Sequence, residues 1–171
     1  MENFSNETID ITQLPKFEEV LFLSLKKSYW KVILINSFTV FLLLAIGLGF
    51  ALVKIEELVA YQLEIGSAFG LFILIFIFFS YLSFKKKGFA FREHDVLFRY
   101  GIIATNTIVI PYNRIQHVAL HEGMVSRYFG LAKIEIFTAG GSSSDIEIPG
   151  IEKEQAENIK QLLMGKIQKQ L

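Results

Sequence analysis

The stretch IGSAFGLFILIFIFFSYLSF, Ile65 to Phe84, runs for 20 residues without a charge and meets Lys85, Lys86 and Lys87 at its end. Thirteen of the 20 are Leu, Ile or Phe. At ~1.5 Å per residue, a helix of that length covers the roughly 30 Å of bilayer hydrocarbon. Each Leu, Ile or Phe near a helix centre favours insertion by roughly 0.3–0.6 kcal/mol, so together they supply ~4–8 kcal/mol against Gly66, Ser67, Gly70, Ser80 and Ser83. The stretch therefore reads as a membrane span, and the three lysines as its stop signal.

A second apolar run lies upstream. Val32 to Val53 is uncharged over 22 residues, long enough to span with some tilt. Thirty-one residues precede it, which is too many for the apolar core of a cleaved secretory signal. Asn36, Ser37 and Thr39 are its clear polar positions and are expected to bond the helix backbone or lie near the interface. The intervening residues 54–64 carry one Lys and three Glu, whereas Lys26, Lys27 and Lys31 precede the first span. Lysines in short flanks are held on the cytoplasmic side, so the chain is expected in the cell membrane as a two-span hairpin (32–87, spans 32–53 and 65–84) with both termini cytoplasmic. Ala45, Gly47, Gly49 and Ala51 on span one and Gly66 and Gly70 on span two predict closest helix contact near the loop, with a homodimer contact through Gly66 and Gly70 as the rival. Neither span holds an ionisable residue, which argues against a proton relay or ion transporter acting alone.

Residues 1–31 read as an N-terminal tail followed by an interfacial amphipathic helix. Pro15 suits a first helical turn, and Phe17, Val20, Leu21 and Leu25 recur about one turn apart. Trp30 and Lys31 suit the headgroup level. The alternative is that this segment packs on the carboxy-terminal domain.

From Gly88 the period alternates. Residues 89–93 and 96–103 read as strands, a third ends near Pro111, and Val118 and Leu120 mark a fourth. Residues 131–138 alternate most cleanly, with Ala132, Ile134, Ile136 and Thr138 inward and Lys133, Glu135 and Phe137 outward. A loop, Gly140 to Ser144, leads to Ile146 and Ile148 on a last strand. Ile151, Ala156, Ile159, Leu163 and Ile167 then form a helical stripe. Residues 88–171 are thus expected to be a small, mainly β cytoplasmic domain of about six strands with a capping C-terminal helix.

Charge is regional. The whole chain balances 17 bases against 17 acids, and residues 88–171 balance nine against nine, so no nucleic-acid partner is expected. No Cys is present, which removes disulfides, thiolate metal sites and cysteine nucleophiles. The Gly140–Ser144 loop lacks the ending of a phosphate-binding loop, and no G-x-S-x-G or H-E-x-x-H occurs. His117 and His121, four apart on a strand, would stand ~13 Å from each other, too far to share a metal. No cofactor, metal or catalytic residue is assigned.

Arg99–Gly101, Ile110–Val118, Arg127–Leu131 and Thr138–Gly140 together resemble the YdbS-like family of small bacterial membrane proteins, the run Pro111 to Gln116 with Arg127 and Gly130 being the specific part. The resemblance covers both spans and nearly all of residues 88–156. It implies a pleckstrin-homology-like (PH-like) sandwich or barrel capped by the last helix, and brings no catalytic mechanism.

Candidate ligand or partner contacts are Arg114, Gln116, Arg127 and Lys133, whose cations would form a small anion site if the fold brought them together. Trp30, Lys31, Lys85, Lys86 and Lys87 are candidate membrane-surface contacts, each Lys worth about 1 kcal/mol beside an anionic leaflet. The expected function is a non-enzymatic adaptor or subunit that binds another membrane protein or itself, with Phe91 and Phe137 as contact points. The alternatives are a module responsive to membrane lipids and, third, a small transporter component.

Overall fold

The structure is a computed structural model that describes residues 19–139 and 145–168. Helix α1 (Ser28–Lys54) and helix α3 (Gln62–Lys86) form the hairpin, joined through the single turn α2 (Glu56–Val59). An uncharged run without Pro becomes helix because lipid leaves each backbone amide no partner but its own chain. Hydroxyls follow the same rule, Thr39 Oγ1 donating to the Ile35 carbonyl at 3.0 Å and Ser67 Oγ to that of Glu64 at 2.9 Å. Val32 and Phe41 are the buried side chains of α1, and α3 has none, so both helices are apolar and bare on nearly every face. Two such helices have the length and composition to cross a membrane.

Aromatic rings set the spacing of the two helices. Phe41 is edge-on to Phe69, Phe72 and Phe76 with centroids 6.3, 6.0 and 5.2 Å away. At the domain end Trp30 meets Tyr81 at 5.2 Å and Phe84 at 5.9 Å. The small-residue contact expected near the loop is not formed. A Cβ placed on Gly47, Gly49, Gly66 or Gly70 would find nothing within 4 Å, because the interposed rings hold the backbones apart.

Strands β1 (Leu23–Ser24), β2 (Gly88–Phe91), β3 (Asp95–Tyr100) and β4 (Asn106–Pro111) make an antiparallel sheet in that order. A 3₁₀ turn, Tyr112–Arg114, leads to a second sheet of β5 (Ile115–His121), β6 (Leu131–Thr138) and β7 (Ile146–Glu152), with α4 (Met124–Tyr128) between β5 and β6. Val96 and Phe98 of the first sheet share one core with Ile134, Ile136, Ile146 and Ile148 of the second. Helix α5 (Lys153–Gln168) closes that core with Ala156 and Leu163. The alternation read along residues 131–138 is present, with Ala132, Ile134 and Ile136 buried and Thr138 half-buried.

One element differs from its sequence reading. Of the interfacial helix expected within residues 15–31, Leu23–Ser24 is strand instead, and Ser28 to Lys31 form the first turn of α1. Leu23 pairs with Phe89 and Ser24 with Gly88, which adds β1 to the edge of the first sheet. The open edge of β2 supplies the hydrogen-bond partners that a surface helix would have made internally. Leu25 enters the core at 5% exposure while Leu21 is 92% exposed, so the packing alternative describes this segment. Pro15, Phe17 and the Gly140–Ser144 loop lie outside the described residues.

The domain is fastened to α1 as well as to β2. Lys26 N–H donates to the Gly150 carbonyl at 3.0 Å, and its ammonium meets Glu152 at 2.6 Å. Gly150 adopts φ +66°, and the Tyr29 ring lies so close that a Cβ there would be 2.5 Å from Tyr29 Cγ. Only glycine allows both the backbone conformation and the ring.

Candidate functional site

Where α1 leaves the domain, a groove of about 550 Å³ opens between the helix and the sandwich. Tyr29, Val32 and Asn36 of α1 form one wall, Lys87 stands at the junction of α3 with β2, and Tyr100 of β3 closes another side. Gly123 and Ser126 at α4, His121 of β5, Lys133 of β6, and Asp145, Glu147 and Gly150 at β7 complete it. The position follows from the chain path, because no linker separates α3 from β2 and Lys87 cannot leave the membrane end of the domain.

The lining is about half apolar, with Val32, Phe98, Ile108 and Pro149, and its polar half carries charges of both signs. Lys133 Nζ bridges Glu135 at 2.5 Å and Glu147 at 3.1 Å, and the hydrogen bond to Glu135, then that to Glu147, hold its pKa above the usual lysine value. Lys87 is half-buried, and burial pushes its pKa down, with Glu147 offsetting part of that. Asp145 accepts from Thr138 Oγ1 at 2.6 Å and Thr138 N–H at 2.9 Å, which keeps its carboxyl below the ordinary range. The groove thus presents two lysines, Lys87 and Lys133, two carboxylates, Asp145 and Glu147, and the phenol, amide and hydroxyl of Tyr29, Asn36 and Ser126. Such a set can bind a polar group carrying phosphate and, beside it, ammonium.

The four residues singled out as ligand contacts do not converge. Arg114 sits in the 3₁₀ turn, its carbonyl accepting from Ala139 N–H at 3.3 Å, and with Gln116 it lies beside the Thr138 end of β6. Lys133 lies near the other end of that strand, five residues or ~17 Å away, and is committed to two glutamates. Arg127 is exposed on α4. Arg114 and Lys133 thus stand at opposite ends of β6, and the three cations do not form one anion site. Of the contact aromatics, Phe91 packs against the core, and Phe137 stacks on His117 with centroids 4.1 Å apart.

Of the expected membrane-surface residues, Lys31, Lys85 and Lys86 are exposed, with Lys85 Nζ 5.7 Å from the Tyr81 ring centroid. Trp30 is half-buried between the helices, and Lys87 belongs to the groove. Sequence reasoning missed Tyr29 and Asn36, because the groove joins residues up to ~120 positions apart. The available signal was the absence of any spacer between Lys87 and Gly88.

A family model described as bacterial PH domain matches residues 20–167. The UPF0699 transmembrane protein YdbS of Bacillus subtilis (strain 168) is 30% identical over 69 residues, 40% of this chain and 42% of that protein. The UPF0699 transmembrane protein YdbT of the same organism is 34% identical over 85 residues, 48% of this chain and 17% of that protein. The chain thus spans less than half the length of either relative. No solved structure matches significantly.

Proposed function

The chain belongs to the bacterial PH domain family as a YdbS-like membrane protein, and on that premise we propose that it is a non-enzymatic module that holds a phospholipid headgroup at the cytoplasmic membrane surface. The observation that carries this reading is Lys87, half-buried in a groove of about 550 Å³ whose wall is the base of a membrane-spanning helix. A phosphate there would meet the Lys87 ammonium and the Tyr29 phenol, and an amine on the same headgroup would face Asp145 and Glu147. Burial weakens the solvation of Lys87, so an anion supplies what water does not.

The orientation belongs to this proposal. Lys26, Lys27, Lys31 and Lys85–Lys87 gather at the domain end of the hairpin, which favours that end inside. A thiol at Gln62 should then be labelled from outside intact cells. Labelling only after permeabilisation reverses the topology.

The test of headgroup binding is native mass spectrometry of the full-length protein extracted in mild detergent. Retained phospholipid near one per chain, lost in Lys87→Gln, is the expected result. Lipid retained equally by both proteins would refute the site. A second reading, an adaptor for another membrane protein, is favoured by the uncovered faces around Gly47, Gly49, Gly66 and Gly70, where another helix could approach. Crosslinking in cells that recovers a near-stoichiometric second membrane protein, with no lipid retained, would establish it instead.

A further inference from the structure

We infer that α4 is a wedge that enters the interfacial layer of the bilayer beside the first span. Met124, Arg127 and Tyr128 are spaced i, i+3 and i+4 and so share one face of this short helix. All three are exposed, Met124 by 87% and Tyr128 by 86%, whereas Val125, Ser126 and Phe129 on the opposite side are half-buried. Met124 and Tyr128 thus present a small amphipathic face flanked by the Arg127 cation.

The depth of α4 identifies what this face meets. Gly123 and Ser126 line the same groove as Val32 and Asn36, and Val32 is only 2% exposed. The last uncharged residue of span one is Val53, and ~20 residues of helix cross the hydrocarbon, so its inner boundary falls near Leu34. Val32 to Asn36 therefore straddles the border of headgroups and acyl chains, and α4, packed alongside, lies at that level. Helix α4 is in direct contact with α1, which places its outward face beside that span. Its composition suits the layer, since the Met124 side chain is apolar, Tyr128 carries a ring with a polar tip, and Arg127 can extend from the same face to the phosphates. The partner is the lipid surface itself. This proposal does not depend on a headgroup occupying the groove.

The chain has no Cys, so one introduced thiol gives a unique label. Full-length Met124→Cys carrying a nitroxide would be reconstituted in vesicles of phosphatidylethanolamine and phosphatidylglycerol, with Gln161→Cys on α5 as the aqueous reference. Collision with oxygen relative to a water-soluble nickel chelate should be several-fold higher at 124 than at 161. Tyr128→Cys should report the same and serves if Met124→Cys does not fold. A label at 124 and 128 as open to the nickel chelate as at 161 would overturn the proposal. Shielding from both reagents would overturn it as well, because it would mean that protein covers this face.

Discussion

The fit of Tyr29 onto Gly150 makes a quantitative prediction for Gly150→Ala. The added Cβ would lie 2.5 Å from Tyr29 Cγ and 2.6 Å from its Cβ, at the stem of the side chain where a rotamer change gives little relief. The backbone at φ +66° costs a non-glycine residue ~1–2 kcal/mol. Displacing the ring also weakens its pairing with Phe84, 6.5 Å away, worth ~0.5–1.5 kcal/mol. The total is ~1.5–3.5 kcal/mol, or a fall of ~3–14 °C in Tm for a chain of this size. The assay is thermal unfolding of the reconstituted protein followed by near-ultraviolet circular dichroism, carried through a double-mutant cycle with Tyr29→Ala. With the ring removed, Gly150→Ala should cost only the backbone part, leaving a coupling of ~0.5–1.5 kcal/mol. Strict additivity of the two substitutions, or a neutral Gly150→Ala, would refute the contact.

Three further outcomes are expected. Phe41→Ala removes the one buried ring that α3 closes upon, so a fluorescence pair placed on Leu44 and Leu71 should report separation or heterogeneity of the helices. Gly66→Leu, which meets open space, should leave that distance unchanged. Burial lowers the pKa of Lys87, so the unfolded chain binds more protons between the folded and unfolded values and stability rises with pH across that window. Dimethyl-lysine NMR should show Lys87 titrating below the ordinary lysine value, and a bound phospholipid should move it back up. Asp145 is held down by Thr138, so its contribution is present above the ordinary carboxyl pKa and lost as pH falls through the lower folded value. In Thr138→Val the Asp145 carboxyl resonance should titrate closer to the ordinary value, and an unchanged midpoint would dismiss the hydroxyl hydrogen bond as the cause.

What the sequence made legible follows from the range of each interaction. Ile65–Phe84 could be read as a span because insertion depends on the residues of the stretch alone, and residues 131–138 as a strand because a sheet with one covered face demands period two. The chain from Leu21 to Leu25 was ambiguous for a physical reason. Leu21 and Leu25 have helical spacing, and only the open edge of β2, more than 60 residues later, draws Leu23 and Ser24 into a strand instead. The helix–helix contact failed in the same way, since spacing shows that Gly66 and Gly70 could admit a close neighbour but not that Phe41 stands between the helices. Lys133 is the sharpest case. As a lone cation in an alternating strand it resembles a ligand contact, yet Glu147 on the neighbouring strand and Glu135 two positions on claim it. That pairing shifts the candidate role to Lys87, whose charge stands half-buried where the membrane helix ends and the sheet begins.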